Sequence, residues 1–135
     1  MNNMIKREKY LKRIRPFYEQ DLIKVITGIR RCGKSVILNQ IMDELRQSGV
    51  KDEQIIYINF EFTDYIDIND AKKFNDFIEK KLINKNKYYV FFDEIQNVDR
   101  WEKVVNSLKA KYNENISIFI TGSNSDLLSG ELATH

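Results

Sequence analysis

The sequence predicts an α/β fold, a mostly parallel sheet with helices on both faces in three layers. Three observations predict it: compact apolar runs alternate with helical patterns along the chain, the first run ends in a loop bracketed by glycines, and the third ends in two adjacent carboxylates. Short β-branched or aromatic runs with no polar face read as strands buried on both sides, and alternation with helices calls for parallel strands joined by right-handed crossovers. Ligands then gather at the carboxyl ends of the strands.

Taken in order, residues 4–20 set Met4, Tyr10, Leu11, Ile14, Phe17 and Tyr18 among Lys6, Arg7, Lys9, Lys12, Arg13 and Arg15, which predicts a basic amphipathic helix broken near Pro16. The run Leu22 to Thr27 reads as a strand ending at Gly28. Similar runs follow at Ile55 to Phe60, Tyr88 to Phe92 and Ile116 to Thr121. Between them, Lys34 to Arg46 places Val36, Ile37, Ile41 and Leu45 on one helical face. Ala71 to Ile83 does the same with Phe74, Phe77, Ile78 and Leu82, and Trp101 to Tyr112 with Val104, Val105 and Leu108. The expected organisation is a basic N-terminal helical arm over 1–20 and one core over 21–135. A helical-looking start at Asp126 to Leu132 lacks a stop signal, so that core is expected to continue beyond His135.

The 135 residues suit one domain, and 42% hydrophobic with 31% charged residues is ordinary for a soluble globular chain. A net charge of +2 does not by itself argue for nucleic acid, and no apolar run approaches the roughly 20 residues of a membrane span. The start Met1-Asn2-Asn3-Met4-Ile5 lacks a secretory h-region, so the expected location is the cytoplasm. Cys32 is the only cysteine and His135 the only histidine, which leaves no internal disulfide and no Cys/His metal site.

Gly28-Ile29-Arg30-Arg31-Cys32-Gly33-Lys34-Ser35 matches G-x-x-x-x-G-K-[ST], between a predicted strand and a predicted helix. Glycines allow backbone N–H groups to converge on a phosphate, and the helix adds the unpaired donors and partial positive charge of its first turn. Lys34 would reach the β- and γ-phosphates of ATP, and Ser35 offers a hard oxygen to Mg²⁺. The expected contact stretch runs from Gly28 through Gly33, Lys34 and Ser35 to Val36. Arg30 and Arg31 either add charge near the nucleotide or are solvated. Cys32 has no catalytic partner nearby.

Tyr88 to Phe92 ends in Asp93-Glu94, the Walker B pattern. A buried carboxylate is costly unless offset, and Mg²⁺ shared with Ser35 would offset it, which makes Asp93 the metal-side residue. Glu94 is the candidate to polarise a water for attack on the γ-phosphate. At the end of the next strand, Ser123 and Asn124 either orient that water or simply form a turn, with Ser125 capping a last helix.

With those elements, the chain resembles the AAA+-like ATPases of bacteria and archaea, in the group whose members often carry an uncharacterised C-terminal domain. The likeness rests on Val25-Ile26-Thr27-Gly28 through Ser35, Phe91-Phe92-Asp93-Glu94-Ile95-Gln96 followed by Trp101-Glu102, and Ile120-Thr121-Gly122-Ser123-Asn124. The resemblance implies a P-loop sheet in which the Ile116 to Thr121 strand lies beside the Leu22 to Thr27 strand. It also implies Glu94 as catalytic glutamate and Ser123 or Asn124 as sensor 1. The last strand, the arginine finger or sensor-2 arginine and the helical lid would then lie beyond residue 135. GTP is disfavoured because Asn84-Lys85-Asn86-Lys87 has Lys where the guanine-reading signature needs Asp. The expected activity is ATP hydrolysis coupled to a change of shape, with a protein partner or a homo-oligomer. The alternatives are a nucleotide-dependent DNA binder, suggested by the basic first helix, and a nucleotide-binding module that never hydrolyses.

Overall fold

In the computed structural model, the described residues are 2–20, 22–26, 31–83 and 86–122, with the side chains of 2–7, 31 and 32 outside the description. Four strands, β1 (Lys24–Ile26), β2 (Ile55–Asn59), β3 (Tyr88–Asp93) and β4 (Ile116–Thr121), form one sheet in the order β1-β4-β3-β2, with every pairing parallel. Helices α1 (Asn2–Ile14), α2 (Arg31–Gln47), α3 (Ala71–Glu79) and α4 (Trp101–Tyr112) alternate with them along the chain. The strand ending before the glycine loop thus lies beside β4, as the resemblance implied. Both central strands are buried at all six of their positions, which is why their sequence shows no polar alternation.

Alternation along β3 divides its side chains between two cores. Val90 and Phe92 pack with Phe74, Ile78, Trp101, Val104 and Leu108 of α3 and α4. Tyr89 and Phe91 pack with Leu11 and Ile14 of α1 and with Ile37, Leu38, Ile41 and Leu45 of α2. Phe91 stacks on Phe119 of β4 with ring centroids 4.6 Å apart. Beside that stack sits a buried cation, Lys24, only 1% exposed. Its ammonium donates to the Gln20 carbonyl at 2.6 Å and to Ser117 Oγ at 2.7 Å, and lies 4.8 Å from the Phe119 ring centroid, so hydrogen bonds and ring electrons replace its water.

The first helix ends at Ile14, and Pro16 lies in a 3₁₀ turn over Arg15–Phe17, the break that proline predicts. Leu11, Ile14 and Tyr18 are buried, so this basic stretch has an apolar face docked on the domain. Arg15 is spent internally. Its guanidinium bonds both Glu44 oxygens at 2.7 and 2.9 Å and both Glu8 oxygens at 2.6 and 2.9 Å. Among the basic residues whose side chains are described, Lys9, Lys12 and Arg13 face solvent.

Helix α4 has the bounds its periodicity predicts, whereas α3 stops at Glu79, short of the expected Ile83. The backbone tightens there, with Lys81 N–H donating to Ile78 O at 2.9 Å, and Leu82 turns into the core on that tighter turn. Asp70 caps the start of α3 by accepting from Lys73 N–H at 2.9 Å. Asp70→Ala is expected to cost about 1 kcal/mol, read as a lower urea midpoint at constant slope. Among the described residues no helix is long and apolar enough to cross a membrane.

Candidate nucleotide and magnesium site

Parallel pairing brings the ends of β3 and β4 to one edge of the sheet, where α2 begins. Gly33, Lys34 and Ser35 are the third, fourth and fifth residues of α2, which begins at Arg31, so they stand close to the N-terminal, partially positive end of the helix. Ser35 Oγ donates to Asp93 Oδ2 at 2.6 Å, which joins the two motifs across 58 residues of sequence. Asp93 has no solvent exposure. Its Oδ2 also accepts from the Tyr57 hydroxyl at 2.7 Å, and its Oδ1 accepts from Thr121 Oγ1. Three hydroxyls therefore do for this carboxylate what water does elsewhere. Burial, reinforced by the Asp93 carboxylate, pushes the Tyr57 phenol well above its ordinary pKa and keeps it a donor.

Thr121 serves two residues at once, since its Oγ1 also accepts from Glu94 N–H at 2.9 Å. That bond holds Glu94 in the left-handed region at φ 54° and ψ 50°, where a residue with a β-carbon is rare and costs about 1–3 kcal/mol. The kink turns the chain out of β3 immediately after Asp93, so that successive carboxylates take different directions. Glu94 Oε1 accepts from Gln96 Nε2 at 2.9 Å, and Oε2 lies 3.8 Å from Lys34 Nζ. Lys34 Nζ also donates to the Gly122 carbonyl at 2.9 Å.

Ser35 and Asp93 form an all-oxygen donor set, which fits Mg²⁺ and no softer metal. Lys34, in the same place, is a point charge suited to phosphate. Of the residues expected from sequence, the fold brings together Lys34, Ser35, Asp93 and Glu94. Gly33 and Val36 sit partly buried on α2. Arg31 and Cys32 are placed on α2 by backbone alone, while Gly28, Ile29, Arg30, Ser123 and Asn124 lie outside the described residues. Sequence reasoning missed Tyr57, Thr121 and Gln96. Thr121 carried a usable signal as the last residue of its strand, but its contact with Asp93 depends on β4 lying beside β3. Tyr57 needed the strand order too, because β2 pairs with β3 so that Asn59 stands opposite Asp93.

A model of a family described as "AAA domain" matches residues 20–135. An uncharacterised protein of Haemophilus influenzae is 48% identical over 132 residues, which is 97% of this chain and 32% of that protein. An uncharacterised protein of Methanocaldococcus jannaschii is 46% identical over 112 residues, covering 83% of this chain and 23% of that one. This chain thus spans a third or less of the length of both relatives. Among solved structures, one of the Drosophila ORC bound to AT-rich DNA and Cdc6 superposes with a TM-score of 0.53 at 14% identity, over 99% of this chain and 55% of that one. A second structure, of the Drosophila ORC bound to DNA, gives a TM-score of 0.51, also at 14% identity, over 99% of this chain and 90% of the other. At that identity the two superpositions speak for the fold, and the family match covers the glycine loop, the acidic strand end and all four strands of the sheet. The chain belongs to the AAA domain family, a family of P-loop nucleoside-triphosphate-binding folds.

Proposed function

We propose that this chain binds ATP with Mg²⁺ and forms the first part of an ATPase that converts nucleotide state into a change of shape. The observation that carries the reading is the 2.6 Å bond between Ser35 and Asp93, with Lys34 and Glu94 beside it. Loop and strand end are distant in sequence, and their meeting yields the charge pattern a magnesium triphosphate needs. On binding, Lys34 exchanges the Gly122 carbonyl and the Glu94 carboxylate for phosphate oxygens. Ser35 and Asp93 would hold the Mg²⁺, Ser35 through its hydroxyl oxygen while it still donates to Asp93. Mg²⁺, when bound, offsets the charge of the phosphates. Glu94, relieved of Lys34, is free to accept a proton from an attacking water. Since Lys34 bonds the Gly122 carbonyl directly after β4, its departure also gives the nucleotide a handle on the segment that follows, which is how binding would be read elsewhere.

The test is a titration of ATP in the presence of Mg²⁺ against the protein and against Lys34→Ala. Loss of at least about tenfold in affinity is expected, since a charge-assisted contact to phosphate is worth 1.4 kcal/mol or more. Equal affinities in two folded proteins would end the reading.

A further inference from the structure

Glu94 is held by a residue two positions on. The Gln96 amide donates to Glu94 Oε1 at 2.9 Å, leaving Oε2 turned toward Lys34. The orientation of that amide is set by chemistry, because an ionised carboxylate only accepts and so must face the NH₂. The turn that carries both residues is anchored on three sides. Ile95 and Val98 are buried in the α3/α4 core, Asn97 Nδ2 donates to the Phe60 carbonyl at 3.2 Å, and Val98 N–H closes on Ile95 O at 3.0 Å. Gln96 therefore stands on a rigid support, which positioning of another side chain requires.

The far end of the same amide points to a purpose other than packing. Gln96 Oε1 is buried and has no hydrogen-bond partner among the described residues, a desolvation cost that an apolar side chain of the same size would escape. The NH₂ end is the part in use, and its use is the Glu94 carboxylate.

We infer that Gln96 is a positioning residue that aims the Glu94 carboxylate for proton abstraction from the attacking water. The inference rests on the proposed ATPase reading, in which Glu94 is the base. Bonded through one oxygen to Gln96, the carboxylate keeps its other oxygen directed at the phosphate side once Lys34 turns to the nucleotide. Without the amide it is free to rotate, and misplacement of a catalytic group by about 1 Å can cost about a hundredfold.

The experiment is a double-mutant cycle on the intact protein, read as single-turnover hydrolysis together with the Kd for ATP and Mg²⁺. Gln96→Met preserves volume and removes the donor. It is expected to lower the hydrolysis rate by about 10- to 100-fold, with the Kd within about twofold. In a Glu94→Gln background the same substitution is expected to cost nothing further, because its effect passes through Glu94. Should Gln96→Met not fold, Gln96→Glu keeps the shape and replaces the donor by a repelling carboxylate, with a loss at least as large expected. A wild-type rate in a folded Gln96 variant, or an equal loss in both backgrounds, overturns the inference while leaving Glu94 as the base. A wild-type rate in Glu94→Gln alone overturns the base assignment, and this inference with it.

Discussion

Glu94→Gln is expected to keep the affinity for ATP and Mg²⁺ and to lower turnover by about 10²- to 10⁴-fold, the range a positioned general base supplies. The amide retains the shape of the carboxylate, and its backbone N–H keeps the bond to Thr121 Oγ1, so the left-handed kink after β3 is preserved. What disappears is the capacity to take a proton. It also removes the negative charge 3.8 Å from Lys34, so nucleotide affinity should stay level or rise. Steady-state hydrolysis by the intact protein, with a parallel binding titration, separates these effects. Unchanged turnover would remove Glu94 from the chemistry, and weakened binding would show that it holds the loop instead. Absence of hydrolysis in the unaltered protein would favour a module that only binds nucleotide.

The second large effect concerns the strand that presents the carboxylates. Phe92 has no solvent exposure, and its ring meets Phe74 edge-on at 4.9 Å and Phe60 at 6.3 Å. Phe92→Ala is expected to destabilise the fold by about 3–5 kcal/mol, the lost transfer energy plus a cavity that the surrounding rings cannot close. Against a total of about 5–15 kcal/mol for a natural domain, that is a large fraction. Urea unfolding measures it. Phe62→Ala is the control: the same side chain, 54% exposed, should change stability by no more than about 0.5 kcal/mol. Equal losses in the two would contradict the burial assigned to Phe92.

Much of the candidate site was legible because its residues are set by local chemistry. A lysine and a serine after two spaced glycines, at the start of a helix, need no tertiary information to be read as candidate phosphate and magnesium ligands. Asp93 was legible for a similar reason, since a carboxylate that closes an apolar strand must be offset by something. The two central strands were also readable, because burial on both faces leaves a mostly apolar run without polar alternation. The end of α3 was not, since Leu82 keeps its apolar periodicity after the helical hydrogen bonds have tightened into a turn.

The partners of Asp93 and Glu94 belong to another class. Tyr57 resembles any aromatic of a buried strand until β2 is laid against β3, and Thr121 is one more β-branched residue until β4 is placed between β1 and β3. Gln96 is two residues from Glu94, yet a hydrogen bond at that spacing depends on the left-handed turn at Glu94, which propensity does not predict for a glutamate. By itself, then, the sequence determined the layered α/β class and marked the G-x-x-x-x-G-K-S motif and the two acidic residues as site candidates, since periodicity and side-chain chemistry act over a few positions. Only the tertiary structure decided which hydroxyls surround Asp93, which amide holds Glu94 and which core each β3 side chain joins. Those depend on strand order and register, which bring together residues far apart in the chain.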